Sequence, residues 1–296
     1  MSTGNGSDEE ALLFTLKYNP PVDPAAGEKA LKEAKKILDK LGIVFLLSSG
    51  TCLGAIRDNA FIPWDDDIDL IAVIGINGLT WEAVDTAIAT FRENGYFVYE
   101  SNDTTSRSFS MIKDYVRTGW DCYHIMDESV WVYPRTQIPA KLFTDPKEIE
   151  FVNEKFLVPN PPEEYLRRKY GEEWRTPKRP GVYEKDVVSK IPSAALGGEP
   201  AKLKVLDEKG SPVAGAGVVL AGGGSSKTDE SGYADVILAG ADWYALVIRY
   251  PEHEKVLYME NLEPGKTYVY RADFEATVAR DVPGQTGTLG NVLTQE

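Results

Sequence analysis

Apolar and polar positions along the chain change period several times, and each change marks an element. Residues 25–41 repeat apolar side chains at helical spacing and leave their lysines on the outer face, which predicts a helix. Ile43 to Leu47 is an apolar run of strand length, and Ser48-Ser49-Gly50-Thr51 reads as its exit turn. Residues 51–57 suit one or two helical turns. Asp67-Ile68-Asp69-Leu70 then alternates with period two, predicting a strand with both carboxylates on one face and both aliphatics against the core. A further helix is predicted over Thr80 to Asn94, capped by Thr80 and stopped by Gly95. Strands are predicted over 96–100, 106–116, 119–125 and 130–133, and Glu163 to Tyr170 reads as a helix closed by Gly171. The expectation is an α+β fold, a mixed β-sheet flanked by helices.

From Lys202 the texture changes. Lys202 to Leu206, Gly217 to Ala221, Tyr233 to Leu238, Trp243 to Ile248, Val256 to Met259 and Thr267 to Ala272 read as short strands between turn signals such as Asp229-Glu230-Ser231-Gly232. That spacing predicts a small antiparallel β-sandwich. The chain therefore divides into a flexible N-terminal arm (1–24), a larger domain (25–197), the sandwich (198–276) and a loosely held tail (277–296). Within the arm, Ser2 to Glu10 looks disordered and Tyr18 to Pro24 extended.

Composition narrows the function. A net charge of −14 argues against nucleic acid as a partner and against electrostatic adhesion to an anionic membrane. Met1 to Glu10 has no apolar core of a secretory signal, and no integral membrane segment is visible, so a cytoplasmic protein is expected. Cys52, Cys122, His124 and His253 show none of the paired spacing of a four-ligand zinc site, and no Ser-His-Asp arrangement is expected around the two histidines. Cys52 and Cys122 read as small buried residues of a reducing compartment.

The chemistry gathers at Phe61-Ile62-Pro63-Trp64-Asp65-Asp66-Asp67-Ile68-Asp69-Leu70. Carboxylates this close repel unless a cation or a proton relieves them, and a divalent metal held against a phosphate-bearing substrate is the simplest purpose. A helix opening after Gly50 would aim free backbone N–H groups at a phosphate, with Gly50 and Thr51 gripping its oxygens and Arg57 adding a bidentate clamp. Asp65 is a candidate to orient a metal-bound water or a substrate hydroxyl. Asp66 should face away from its neighbours, toward solvent or an arginine. Pro63 and Trp64 are expected to pack and fix the chain's path into the strand.

Gly50-Thr51 followed by a D-x-D strand resembles the nucleotidyltransferase superfamily. The longer string GTCLGAIRDNAFIPWDDDIDL is similar to the hallmark of the LicD/fukutin family of phosphotransferases, as is Val158-Pro159 through Tyr165-Leu166, Tyr170-Gly171, Trp174 and Pro177 downstream. The resemblance covers roughly residues 25 to 185 and implies a nucleotidyltransferase-like fold. It implies transfer of phosphocholine or an alditol phosphate from a CDP-linked donor to a glycan or glycolipid hydroxyl, with release of CMP. It also implies Mg2+ or Mn2+ between Asp67, Asp69 and a third carboxylate. The candidate for the third is Asp121, with Asp114 and Asp127 as competitors; Asp121 and Asp65 are the candidate bases. Where many members carry a short apolar run and a proline after that third carboxylate, this chain has Tyr123-His124. Tyr170, Gly171 and Trp174 could line the donor pocket or the core. A nucleotidyltransferase that releases pyrophosphate and a non-catalytic glycan or nucleotide binder are the rival readings. The C-terminal region resembles carboxypeptidase-regulatory-like (transthyretin-like) domains, which implies packing, homo-oligomer formation or glycan presentation.

Overall fold

The computed structural model describes residues 5–102, 106–179, 182–191, 197–272 and 292–296. The chain forms two compact units. One comprises Met1–Leu16, Pro20–Val132 and Thr136–Pro177; the other comprises Lys17–Asn19, Tyr133–Arg135 and Lys178–Glu296.

In the first unit the elements run α1 (Asn5–Tyr18), α2 (Pro24–Lys40), β1 (Leu46–Leu47), α3 (Ser49–Arg57), β2 (Ile68–Val73), α4 (Trp81–Glu93), β3 (Phe97–Asn102), β4 (Ser106–Lys113) and β5 (Val116–Tyr123). There follow β6 (Ser129–Val132), β7 (Thr136–Pro139), α5 (Lys141–Thr144), β8 (Lys147–Phe151), β9 (Glu154–Val158) and α6 (Pro162–Tyr170). Five strands form a mixed sheet in the order β1-β2-β5-β4-β3, with β2 and β5 parallel and the remaining pairs antiparallel. Pro24 opens α2 and Asp23 caps it, accepting from Ala26 N at 2.9 Å; Thr80 caps α4 through Ala83 N at 3.3 Å. Leu31, Ala34 and Leu38 of α2 and Val84, Ala87 and Phe91 of α4 enter one core with Ile68, Leu70, Trp120 and Phe109 from the sheet.

Two expectations about this unit change. The supposed flexible arm carries α1, whose Ala11 and Leu12 are buried with Ile112 while Leu16 and Phe97 pack beside them. Ala11, Leu12 and Leu16 make a stripe too narrow to stand out beside Asp8, Glu9 and Glu10. The extended piece after it is tied down where Val22 N donates to Asp65 O at 2.8 Å. The run Ile43 to Leu47 contributes only two residues of ladder, although Ile43, Phe45, Leu46 and Leu47 are all buried.

The second unit contains α7 (Tyr183–Val188), β10 (Glu199–Leu206), β11 (Gly217–Leu220), β12 (Ser225–Lys227), β13 (Tyr233–Leu238), β14 (Asp242–Tyr250), β15 (His253–Leu262), β16 (Thr267–Arg271) and β17 (Thr294–Gln295). Two four-stranded sheets, β13-β10-β16-β17 and β12-β11-β14-β15, enclose a core of Leu203, Val205, Leu246, Ile248, Leu257 and Tyr270. The sheets are not wholly antiparallel, because β10 and β16 run parallel. The unit begins earlier than residue 198, since α7 packs on β15, with the Tyr183 and Tyr258 rings 6.0 Å apart. Of the expected tail, 277–291 lie outside the described residues. The last five residues are not loose: Val292 and Leu293 are buried, and β17 pairs with β16. No described helix is long and apolar enough to cross a membrane.

Candidate active site

The acidic run sits in a turn, because β2 starts only at Ile68. Strand alternation therefore does not govern Asp65, Asp66 and Asp67, and their carboxylate oxygens come within 4.8 Å of one another, the one such trio among the described residues. Asp66 does not face away. It joins the cluster, and its side chain, only 11% exposed, is paired with the Arg117 guanidinium. Asp67 also receives Arg117, through Nε at 3.2 Å. Trp64 packs on the core as expected, while Pro63 is exposed.

Gly50 and Thr51 do something other than wait for a phosphate. Asp69 Oδ2 accepts the backbone N–H of Gly50 at 2.8 Å and of Thr51 at 3.4 Å, and Asp69 N donates back to Thr51 Oγ1 at 2.9 Å. The N-terminus of α3 is thus spent on the chain's own carboxylate, where orphan donors and the helix dipole both favour a negative charge. Glycine at position 50 is demanded by contact and not by turn geometry. A Cβ there would stand 2.8 Å from Asp65 Cγ, whereas the positive φ of this corner, 40°, belongs to Ser49. Arg57 lies at the far end of α3 and grips Asp58, with Nε–Oδ2 at 2.9 Å and Nη2–Oδ2 at 2.6 Å. The expected phosphate clamp is therefore engaged by its sequence neighbour.

The second wall is β5. Its even positions Val116, Thr118, Trp120 and Cys122 are buried, so Arg117, Gly119, Asp121 and Tyr123 share the opposite face. Register places Gly119 beside Asp69 and Asp121 beside Ile71. Asp67 Oδ2 lies 4.0 Å from where a Gly119 Cβ would stand, which brings the turn carboxylate over this face. Tyr123 OH donates to Asp121 Oδ2 at 3.4 Å. The competitors for the third position are elsewhere: Asp114 is surface-exposed and paired with Lys29 at 2.8 Å, and Asp127 is exposed. Cys52 and Cys122 are both buried and free.

Sequence reasoning missed three residues. Arg117 is one; its signal was its place four residues before Asp121 on the same strand face. Lys169 is the second: it occupies the buried stripe of α6 with Pro162, Tyr165 and Leu166, and its charge faces Asp69 and Asp121. Tyr165 is the third, its hydroxyl accepting Ser49 N at 3.0 Å and so fixing the start of α3. Trp174 belongs to the core, with Tyr170 packed against it.

Burial dominates the electrostatics. It drives Asp65 well above the usual carboxylate range, helped by Asp69, Asp67 and Asp66 and opposed by Arg117. Asp66 is pushed up to about 6 by burial, against the pull of Arg117. Burial and then Asp67 raise Asp69, against Lys169 and the Gly50 N–H. Asp121 is raised by burial, while a Ser108 hydrogen bond and Lys169 hold it back. Lys169 is lowered by burial despite Asp69 and Asp121. Such a site stores negative charge that burial makes unfavourable, which is the condition a divalent cation relieves.

Residues 42–161 match the LicD/FKTN/FKRP nucleotidyltransferase domain. Human "Ribitol-5-phosphate transferase FKTN" is 31% identical over 185 residues, 57% of this chain and 39% of that protein. Human "Ribitol 5-phosphate transferase FKRP" is 22% identical over 197 residues, 60% of this chain and 36% of that protein. An uncharacterized protein of Rickettsia prowazekii is 29% identical over 183 residues, covering 56% of this chain and 60% of that one. The chain thus spans under half the length of the two human relatives. A solved nucleotidyltransferase-like protein from Paracoccidioides brasiliensis aligns loosely, with TM-score 0.36 and 15% identity over 58% of this chain and 78% of that one. The segment that holds α3, β2, β5 and every carboxylate of the site is the part of the chain that matches the nucleotidyltransferase domain of the LicD/FKTN/FKRP family.

Proposed function

We propose that this chain transfers a phosphorylated alcohol, of the phosphocholine or alditol phosphate class, from a CDP-linked donor to a glycan hydroxyl and releases CMP. The observation that carries the reading is the carboxylate trio Asp65, Asp66 and Asp67 with Asp69 beside it, inside a domain whose curated relatives are named ribitol-5-phosphate transferases. The donor set fits Mg2+ or Mn2+, since it offers only hard carboxylate oxygens, and Gly50 supplies the space against which Asp65 rests. Asp67, Asp69 and Asp121 are the residues that would hold the ion, although among the described residues it is Asp65, Asp66 and Asp67, and not these three, whose carboxylate oxygens gather within 4.8 Å. Bound there, it would neutralise the donor pyrophosphate and favour attack on phosphorus.

The chain's own groups do the rest. The α3 N-terminus fixes Asp69 through two N–H groups, and Arg117 fixes Asp66. Asp65 or Asp121 would accept the proton of the acceptor hydroxyl; both are raised by burial, which suits a carboxylate asked to take up a proton. The acceptor oxygen bonds to the phosphorus nearer the transferred alcohol, and the bond from that phosphorus to the CMP oxygen breaks.

Product analysis tests the reading. The protein is incubated with CDP-ribitol, CDP-glycerol or CDP-choline, a divalent ion and a glycan acceptor, and nucleotides are separated by chromatography. Acceptor-dependent CMP is the expected product. Pyrophosphate from CTP would instead assign nucleotidyl transfer, and absence of turnover with every donor would leave a binding protein.

A further inference from the structure

The acidic trio comes with a cation of its own. Arg117 rises from β5 with a side chain only 7% exposed, and it contacts two of the three carboxylates, Asp66 through Nη2 and Asp67 through Nε. The two contacts differ. Asp66 is 11% exposed and tightly paired, whereas Asp67 is 23% exposed and lies 3.2 Å from Nε. The guanidinium is also incompletely served: its buried Nη1 has no hydrogen-bond partner among the described residues. An arginine has five N–H donors, and leaving one buried nitrogen unmet is unfavourable, so the pose is set by the carboxylates it serves and not by its own satisfaction.

We propose that Arg117 is the resident counter-cation of this site, holding Asp67 in the metal-free protein and yielding it to an incoming divalent ion while keeping Asp66. The inference rests on the metal-dependent reading above. Asp66 is then a permanent anchor for Arg117, and Asp67 is the exchangeable partner on the more open side. Arg117 thereby keeps a crowded carboxylate turn assembled before metal arrives, and it lowers the site's affinity for metal by competing for one ligand. It is a positioning residue, acting through Asp66 and Asp67.

The experiment titrates Mn2+ into the full chain, following free Mn2+ by electron paramagnetic resonance and thermal unfolding in parallel. Wild type, Arg117→Met and Arg117→Gln are compared at one pH. Arg117→Gln is the more conservative change for folding, because its amide can still donate to Asp66. Removing the competing charge should tighten Mn2+ binding about tenfold or more. It should also lower the melting temperature of the metal-free protein and enlarge the rise that Mn2+ produces. A folded variant that binds Mn2+ with wild-type or weaker affinity would overturn the inference, since Arg117 would then position without competing. A wild-type protein that binds no Mn2+ at millimolar concentration is a different result: it would overturn the metal reading itself, and this inference with it.

Discussion

Asp69 Oδ2 accepts both the Gly50 and the Thr51 N–H groups, and an asparagine carbonyl in the same place could accept both as well. Asp69→Asn should therefore leave α3 seated on β2 while removing the charge that a metal needs. Asp67→Asn should behave alike, since each change also relieves repulsion within the carboxylate cluster. Either substitution should lower the rate of CMP release by a factor corresponding to about 3 kcal/mol or more of transition-state stabilisation. The melting temperature should hold or rise. Substantial activity in either purified variant would remove these residues from the site. Gly50→Ala tests the same corner from its other side. The added methyl would collide with the Asp65 carboxylate, so Asp65 must move or α3 must shift. Overpacking of this kind costs about 1–3 kcal/mol, and urea unfolding would read it. A variant as stable and as active as wild type would mean that Asp65 has room to retreat and that its place against Gly50 does not matter.

At the scale of elements, α6 lays Pro162, Tyr165, Leu166 and Lys169 on one buried stripe, and the lysine is the member that does not belong there on hydrophobic grounds. Its charge answers Asp69 and Asp121. Lys169→Met would keep the length of the side chain and remove that answer. Leaving Asp69 and Asp121 without that countercharge should lower stability, which equilibrium unfolding in the absence of metal should register, and added Mn2+ should recover part of the loss. An unchanged midpoint would assign Lys169 to packing alone. This residue also marks where the sequence stopped being legible. Helices α2 and α4 could be read from their apolar stripes and caps, and α6 from the Gly171 that stops it. The carboxylates could be read because like charges at that density have few structural uses. Arg117 could not, because the predicted strand began at Gly119 and cut the arginine from the face it shares with Asp121. The partners of Gly50 and Thr51 could not either. An open helix N-terminus looks the same in sequence whether it awaits a phosphate or already holds an aspartate from the next strand. Tyr165 and Ser49, 116 residues apart in the chain, meet only through the tertiary fold.

For the whole molecule, the formal net charge of −14 counts every carboxylate as ionised, whereas burial keeps some of them reluctant to ionise, and Glu260 is a case outside the active site where the consequence can be isolated. Glu260 is 1% exposed on β15, and its two oxygens accept Val292 N at 2.8 Å and Leu293 N at 3.0 Å, so it fastens the last residues of the chain to the second unit. Burial pushes its pKa up to about 7 from an ordinary 4.5, with those two N–H groups pulling the other way. The sign follows from proton counting. Between pH 4.5 and 7 the folded state binds more protons at Glu260 than the unfolded state does. Its contribution to stability therefore falls as pH rises through that window and is level on either side. The full change is at most about 3 kcal/mol, at 1.36 kcal/mol per unit. Other raised carboxylates act in the same direction, so the whole-chain slope does not isolate Glu260, but a difference does. Glu260→Gln cannot titrate; its amide oxygen keeps one N–H bond, and its NH2 group faces the other donor, a loss that does not depend on pH. Urea unfolding of both proteins from pH 4 to 8.5 should show the advantage of wild type over Glu260→Gln shrinking as pH rises toward 7.5, then holding constant. A difference that stays flat across the range would mean that Glu260 ionises in the folded chain as it does in water. The two N–H bonds would then outweigh burial in holding the C-terminal strand.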